Sequence, residues 1–176
     1  MNIFVIDGTF GNRYDTIYQA FLKANPQHHI KRIKVESSRM AYCTGCWSCW
    51  VKTPGLCAHN DDTQNMLAES IKSDYVIQFT ENSVGYITSL SKKALEKHIP
   101  LIHPYLEVVE GECHHKKRYE TTPRLGLVYI NPEQNEKDYE NSKRMVSRMA
   151  LNLRSDMPFS VNIDPKVEVN YECLRM

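Results

Sequence analysis

The stretch "IFVIDGTFGNRYDTIYQAFL" (residues 3–22) decides the fold. Ile3 to Ile6 is a short apolar run that stops at Asp7-Gly8, as a strand buried on both faces does when it runs into a turn. Beyond that turn, Tyr14, Ile17, Tyr18, Phe21 and Leu22 recur at helical spacing until Asn25-Pro26 ends the pattern. A strand, a glycine-containing turn and a helix in this order open a right-handed crossover.

The same alternation continues along the chain. "HIKRIKVE" (29–36) alternates weakly and is rich in lysine and arginine, which suits a sheet edge. A cysteine-bearing loop follows, and then Asp61-Asp62 reads as the cap of a helix carrying Met66, Leu67 and Ile71. "YVIQFT" (75–80) is a further buried strand and "SLSKKALEKHIPL" (89–101) a further helix. A long connection containing His103 and Pro104 leads to a fourth strand, "LGLVYI" (125–130). Residues 136–153 place Ser142, Met145, Val146, Met149, Ala150 and Leu153 on one helical face, and "FSVNI" (159–163) is a fifth strand. Alternating strands and helices predict one α/β domain over residues 1–176, built on a parallel sheet with ligands at the carboxyl ends of its strands.

Composition narrows the function classes. A formal charge of +1 gives no electrostatic reason to expect nucleic acid or an anionic membrane as partner. There is no apolar run of about 18 residues, and "MNIFVIDGTF" reads as a strand, not an export signal, so the expected setting is the reducing cytoplasm. In that setting clustered cysteines point to metal or redox chemistry over disulfides. Four of the six cysteines stand in "CTGCWSCWVKTPGLC" (43–57), at spacing Cys-x2-Cys-x2-Cys-x7-Cys. No G-x-S-x-G, Walker A or HExxH pattern occurs, so hydrolase and nucleotide-kinase chemistry has no support.

That cysteine segment, running on to Asp61-Asp62, resembles the flavodoxin-like NAD(P)H-dependent FMN reductases, a family that includes the iron–sulfur flavoproteins. Its members read Cys-x-Gly-Cys-x-x-Cys-Trp and then Pro-Gly-x-Cys, as residues 43–50 and 54–57 do here. "GYITSLSKKALEKHIPL" (85–101) is similar to the family's segment ending Asp-Arg-x-x-Pro-Leu, with Glu96-Lys97 in place of Asp-Arg, and "GECHHKKRY" (111–119) resembles an insertion of one branch. The resemblance implies a flavodoxin-like three-layer α/β fold with a five-stranded parallel sheet in the order 2-1-3-4-5. It further implies FMN as cofactor, NAD(P)H as co-substrate, a small-molecule or protein electron acceptor, and a homodimer or homotetramer.

Read residue by residue, the loop after the first strand would hold the FMN phosphate. Gly8 and Gly11 serve the turn, while Thr9, Asn12, Arg13 and Thr16 offer polar groups. The loop after the third strand, Thr80-Glu81-Asn82-Ser83-Val84-Gly85, would lie along the flavin ring. Relatives read Thr-Pro-Val-Tyr-Phe-Gly there, so an apolar wall has become acidic and polar. A carboxylate at Glu81 beside the ring would disfavour the anionic reduced flavin. No side chain is asked to act as a general acid or base, because the flavin performs the chemistry.

Cys43, Cys46, Cys49 and Cys57 are the candidate ligands of an iron–sulfur cluster, with zinc, a disulfide or plain structural thiols as alternatives. Cys113 and Cys173 read as ordinary thiols. The basic run His114 to Tyr119 reads as a solvated charged loop, or as an attractor of the NADPH phosphates. Two other functions stay open beside the reductase: an iron–sulfur flavoprotein electron carrier, and a flavin-free binding or regulatory module.

Overall fold

Two apolar sets alternate along the central strands, and each faces a different layer of helices. The computed structural model describes residues 1–168 and 170–176. Strand β1 (Asn2–Asp7) lies between β2 (His29–Lys34) and β3 (Tyr75–Glu81), and β3 continues through β6 (Arg124–Ile130) to β7 (Phe159–Ile163). All four pairings are parallel. The order β2-β1-β3-β6-β7 is the flavodoxin-like order expected, and the basic strand β2 sits at the edge.

On one face, Ile3 and Val5 join Ile77, Phe79, Val128 and Ile130 beneath α1 (Asp15–Ala24), which buries Ile17 and Phe21. On the other, Phe4, Ile6, Val76, Leu125 and Leu127 meet α3 (Thr63–Lys72), α4 (Ser89–Glu96) and α5 (Glu136–Asn152). Burial on both faces is why these strands read as continuous apolar runs. A short 3-10 turn at Tyr171–Leu174 completes the α1 layer. Buried Asn25 ties it down, donating to the carbonyl oxygens of Leu174 (2.8 Å) and Phe21 (3.0 Å).

Three local expectations change. The connection before the fourth sheet strand is an antiparallel hairpin, β4 (Ile102–Val109) with β5 (Glu112–Lys117), closed by Glu110-Gly111 with both φ angles positive. The basic run 114–117 is therefore strand, and His114 is buried in it. The helix expected to reach residue 101 stops at Glu96, and Pro100 falls in a separate 3-10 turn, Ile99–Leu101. Asp62 precedes α3 but does not cap it. Instead its carboxylate accepts from the Arg39 amide (2.7 Å), while Asp61 accepts from the Ala41 and Thr63 amides (2.8 and 2.9 Å), so the acidic pair moors the chain leading into the cysteine loop. Among the described residues, no helix is long and apolar enough to cross a membrane.

Candidate functional site

The carboxyl ends of β1 and β3 flank the point where the strand order reverses, which is the expected ligand site of such a sheet. Its floor is set by a close approach between the β1 turn and the start of α4. A Cβ on Gly8 would lie 2.1 Å from Ser91 Oγ and 2.6 Å from Ser91 N. Thr88, which caps α4 by accepting from Ser91 N (3.0 Å), donates its hydroxyl to the Gly8 carbonyl (2.6 Å). Gly8 thus serves packing against α4.

Thr9 is likewise turned inward. Its amide and hydroxyl both donate to Asp7 Oδ1, at 2.9 and 2.7 Å, and both residues are buried. Asp7 Oδ2 receives both Nε (2.8 Å) and Nη2 of Arg32, and the same guanidinium reaches Asp15 at 2.5 Å. The hydrogen bond to Arg32 holds the Asp15 carboxyl below its ordinary range, although burial opposes it. Burial works against the Arg32 charge, but its bonds to Asp15 and Asp7 outweigh this and raise its pKa.

At the tip of the loop, Gly11 adopts φ +58°, the left-handed region open to glycine. The Phe10 amide donates to Glu81 Oε1 (2.8 Å) and the Gly11 amide to Glu36 Oε2 (2.9 Å). Lys34 donates to the Gly11 carbonyl and to Asn12 Oδ1 (3.4 Å), and lies 3.7 Å from Asp15. Glu81 therefore reaches across to the first loop and ties the two loops together. Arg13 and Thr16 point elsewhere, into an open groove of about 560 Å³ shared with Lys166 and Tyr171.

The loop after β3 is a tight reverse turn. Ser83 and Tyr86 exchange backbone hydrogen bonds (2.8 and 3.1 Å), with φ +54° at Val84 and +79° at Gly85. A β-branched residue in the left-handed region is strained, and such strain gathers at binding sites. Asn82 pins the turn, donating to Asn131 Oδ1 (3.1 Å) and Asp138 Oδ2 (2.9 Å) and accepting from the Gly85 amide (2.9 Å). Thr80 lies beneath, its hydroxyl accepting from the Thr88 amide (3.1 Å). Val84 is fully exposed, and Phe10 (45 %) and Tyr86 (37 %) leave further apolar surface on these two loops.

A second feature lies between the cysteine loop and the far end of α4. Cys43, Cys46, Cys49 and Cys57 all line a cavity of about 220 Å³, together with Trp47 and Lys97. The short helix α2 (Ser48–Val51) shapes its wall, and Trp50 anchors it by donating to the carbonyls of Ile99 (3.2 Å) and Ile102 (3.0 Å). Lys97 is only 2 % exposed, and its ammonium donates to Cys57 Sγ at 3.4 Å. Hydrogen bonds from the Ser48 amide and hydroxyl hold the Cys46 thiol below its usual pKa. Burial, and then the charges of Cys57, Cys43 and Cys46, push the Cys49 thiol up. The structure thus brings the four predicted thiols to one cavity. Among the described residues, no group of three or more His, Cys, Asp or Glu side chains is gathered closely enough to hold a single metal ion.

Sequence reasoning missed Asp7, Arg32, Lys34 and Glu36 as parts of the first loop's network. Glu36 meets Gly11 from 25 positions away and Glu81 meets Phe10 from 71, so no local pattern announces either contact.

No protein-family model and no curated protein matches the sequence. Solved structures do match in shape. An FMN-dependent NADH-azoreductase from Bacillus anthracis str. Ames Ancestor, in complex with FMN, superposes with a TM-score of 0.65 at 12% identity, covering 98% of this chain and 92% of that one. RosB with a bound 8-demethyl-8-formylriboflavin-5'-phosphate intermediate gives 0.63 at 13% identity, covering 97% and 68%. The Trp repressor binding protein from Bacillus subtilis gives 0.58 at 10% identity, covering 91% and 86%. At these identities the likeness establishes the fold, which is flavodoxin-like.

Proposed function

We propose that this flavodoxin-like chain is a flavin-dependent oxidoreductase that takes electrons from NAD(P)H and passes them to a flavin, quinone or protein acceptor. The observation that carries the reading is the switch point of the sheet between β1 and β3, whose two loops expose Phe10, strained Val84 and Tyr86. Solved proteins of the same fold include one in complex with FMN, which supports the choice of ligand. The apolar loop surfaces suit an isoalloxazine ring. The loop tip does not suit a phosphate, because Glu81 and Glu36 already hold its amides. A bound flavin supplies the hydride and electron chemistry, and the chain supplies position and electrostatics. Work in the cytoplasm as a homodimer or homotetramer belongs to the same proposal.

Riboflavin and FMN titrations, followed by quenching of flavin fluorescence, test it. Binding of at least one of them at ~100 μM is expected, a level that detects any site stronger than about 5.5 kcal/mol. Anaerobic bleaching of the bound flavin by NADH or NADPH is the companion measurement. Binding of neither flavin overturns the reading.

A second reading, an iron–sulfur electron carrier, is favoured by the buried Lys97 ammonium beside Cys57. A cluster held by four thiolates carries net negative charge, and a buried cation next to it is compensated. Anaerobically prepared protein would then contain about four irons and four sulfides per chain. Iron-free protein from the same preparation leaves the cysteines as structural thiols.

A further inference from the structure

The β1–α1 loop has the form of an anion-binding loop, and its anions come from the chain itself. The Phe10 amide, followed by the Gly11 amide with Gly11 in the left-handed conformation, presents successive N–H groups at one tip. Each meets a carboxylate from another element: Glu81 from the end of β3, and Glu36 from the residues after β2. Two of the nearby cations are committed. Arg32 holds Asp7 and Asp15, and Lys34 holds the Gly11 carbonyl and lies against Asp15. The third, Arg13, is exposed, 5.7 Å from the Tyr14 ring centroid, and forms no ion pair among the described residues. Four carboxylates, at Asp7, Asp15, Glu36 and Glu81, thus surround a loop served by three basic side chains.

We infer that Glu36 and Glu81 are built-in occupants of this loop, so that the site selects flavins that lack a phosphate: riboflavin over FMN. The inference rests on the flavin reading above and deepens it. A phosphate monoester carries between about −1.5 and −2 charge at pH 7. To reach the amides of Phe10 and Gly11 it must expel two carboxylates. To sit beside them it must bear their repulsion without an uncommitted buried cation. An uncharged ribityl chain meets neither obstacle, and the exposed apolar side chains of Phe10, Val84 and Tyr86 on the two loops are the same for both ligands.

The test compares riboflavin, FMN and inorganic phosphate on the full chain. Wild-type protein should bind riboflavin as tightly as FMN or more tightly. The E36A/E81A variant should gain ~10-fold in FMN affinity relative to riboflavin, with riboflavin changed by no more than ~2-fold. The E36Q/E81Q variant keeps size and an acceptor oxygen while losing both charges, and should gain a part of that factor. It guards against a variant that fails through misfolding. Independently of any flavin, nitrogen-15 amide spectra read the loop directly. Inorganic phosphate should leave the Phe10 and Gly11 signals of the wild type unmoved and shift them saturably in E36A/E81A. Wild-type protein that prefers FMN to riboflavin by ~10-fold overturns the inference and leaves the flavin reading intact. If neither flavin binds, the flavin reading fails, and the phosphate titration still decides the loop: equal shifts in wild type and variant refute its self-occupation.

Discussion

Helix α4 touches two polar regions that handle buried charge in opposite ways. At its N-terminal end, the β1–α1 loop closes its own circuit, with Asp7 answering Arg32 and Thr9 and glutamates answering the loop amides. At its C-terminal end, Lys97 is equally buried, and the partner of its ammonium is a thiol. Partial negative charge at the helix C-terminus relieves some of that cost, since Lys97 is the C-cap residue. A buried charge held by an opposite charge is structural, and removing one partner exposes the cost of the other. A buried charge with a soft partner is better explained by what the cavity receives.

The largest expected effect therefore lies in the closed region. Asp7→Asn strips the charge from a carboxylate that is 2 % exposed and leaves Arg32 facing an amide. It should cost about 3 kcal/mol, read by urea denaturation, at the lower end for a broken buried pair because Asp15 still holds the guanidinium. Removing both charges, as Asp7→Asn with Arg32→Met, should recover part of that loss in a double-mutant cycle. A single mutant within 0.5 kcal/mol of wild type, the scale of an ordinary surface change, would show that the loop network is ornamental.

At the other end of α4 the same operation should have a smaller effect. Lys97→Met keeps the length of the side chain and removes an ammonium that, among the described residues, has no carboxylate oxygen within 4.0 Å. In iron-free protein it should change stability by no more than about 1 kcal/mol, in either direction. In protein that carries a cluster, it should lower the cluster's reduction potential, because a cation favours the more negative reduced state. A loss near that of Asp7→Asn in iron-free protein would mean that both regions are structural, and the comparison collapses.

Much of the fold was open to sequence reading because its signals are local. The apolar run at Ile3–Ile6 sits within β1, the faces Tyr14–Leu22 and Ser142–Leu153 fall in α1 and α5 together with one cap residue each, and strand order follows from the resemblance. The hairpin β4–β5 escaped because its strands are half exposed and charged, with Pro104 inside and Glu-Gly, not Asn-Gly, at the turn. The candidate site was legible as a place and not as a circuit. Thr9 looked like a ligand donor because its nearest neighbours in sequence are turn residues, yet Asp7, two positions back, takes its hydroxyl. The resemblance placed Glu81 along the ring, and it could not show that the side chain is long enough to reach the Phe10 amide on the next loop. The Asp7–Thr9 contact is a local turn that Asp-Gly-Thr could have announced, whereas the reach of Glu81 to Phe10 leaves no trace in spacing along the chain.

The smallest effect concerns His98, the residue after Lys97, and it separates a buried group kept neutral from one kept charged. His98 is buried; its Nδ1 bonds with the Ala94 carbonyl oxygen at 2.9 Å and its Nε2 lies 3.3 Å from Ser70 Oγ. Burial lowers its pKa, and the backbone bonds to Ala94 and Leu95 offset this only in part. The unfolded chain, with an ordinary histidine near pH 6.5, then binds more protons than the folded one over the window below that pH. Stability from this group is full above about pH 6.5 and is lost progressively as the pH falls toward the lower folded value. Melting temperatures measured between pH 8 and 5 should fall on the acid side, and His98→Gln should flatten that slope while costing some stability at every pH, through the lost ring packing. Asp15, held below its ordinary range by Arg32, contributes its own loss only at pH below about 4, so the two steps are separable. An acid slope unchanged in His98→Gln would place the proton uptake elsewhere and remove His98 as the neutral counterpart of Lys97.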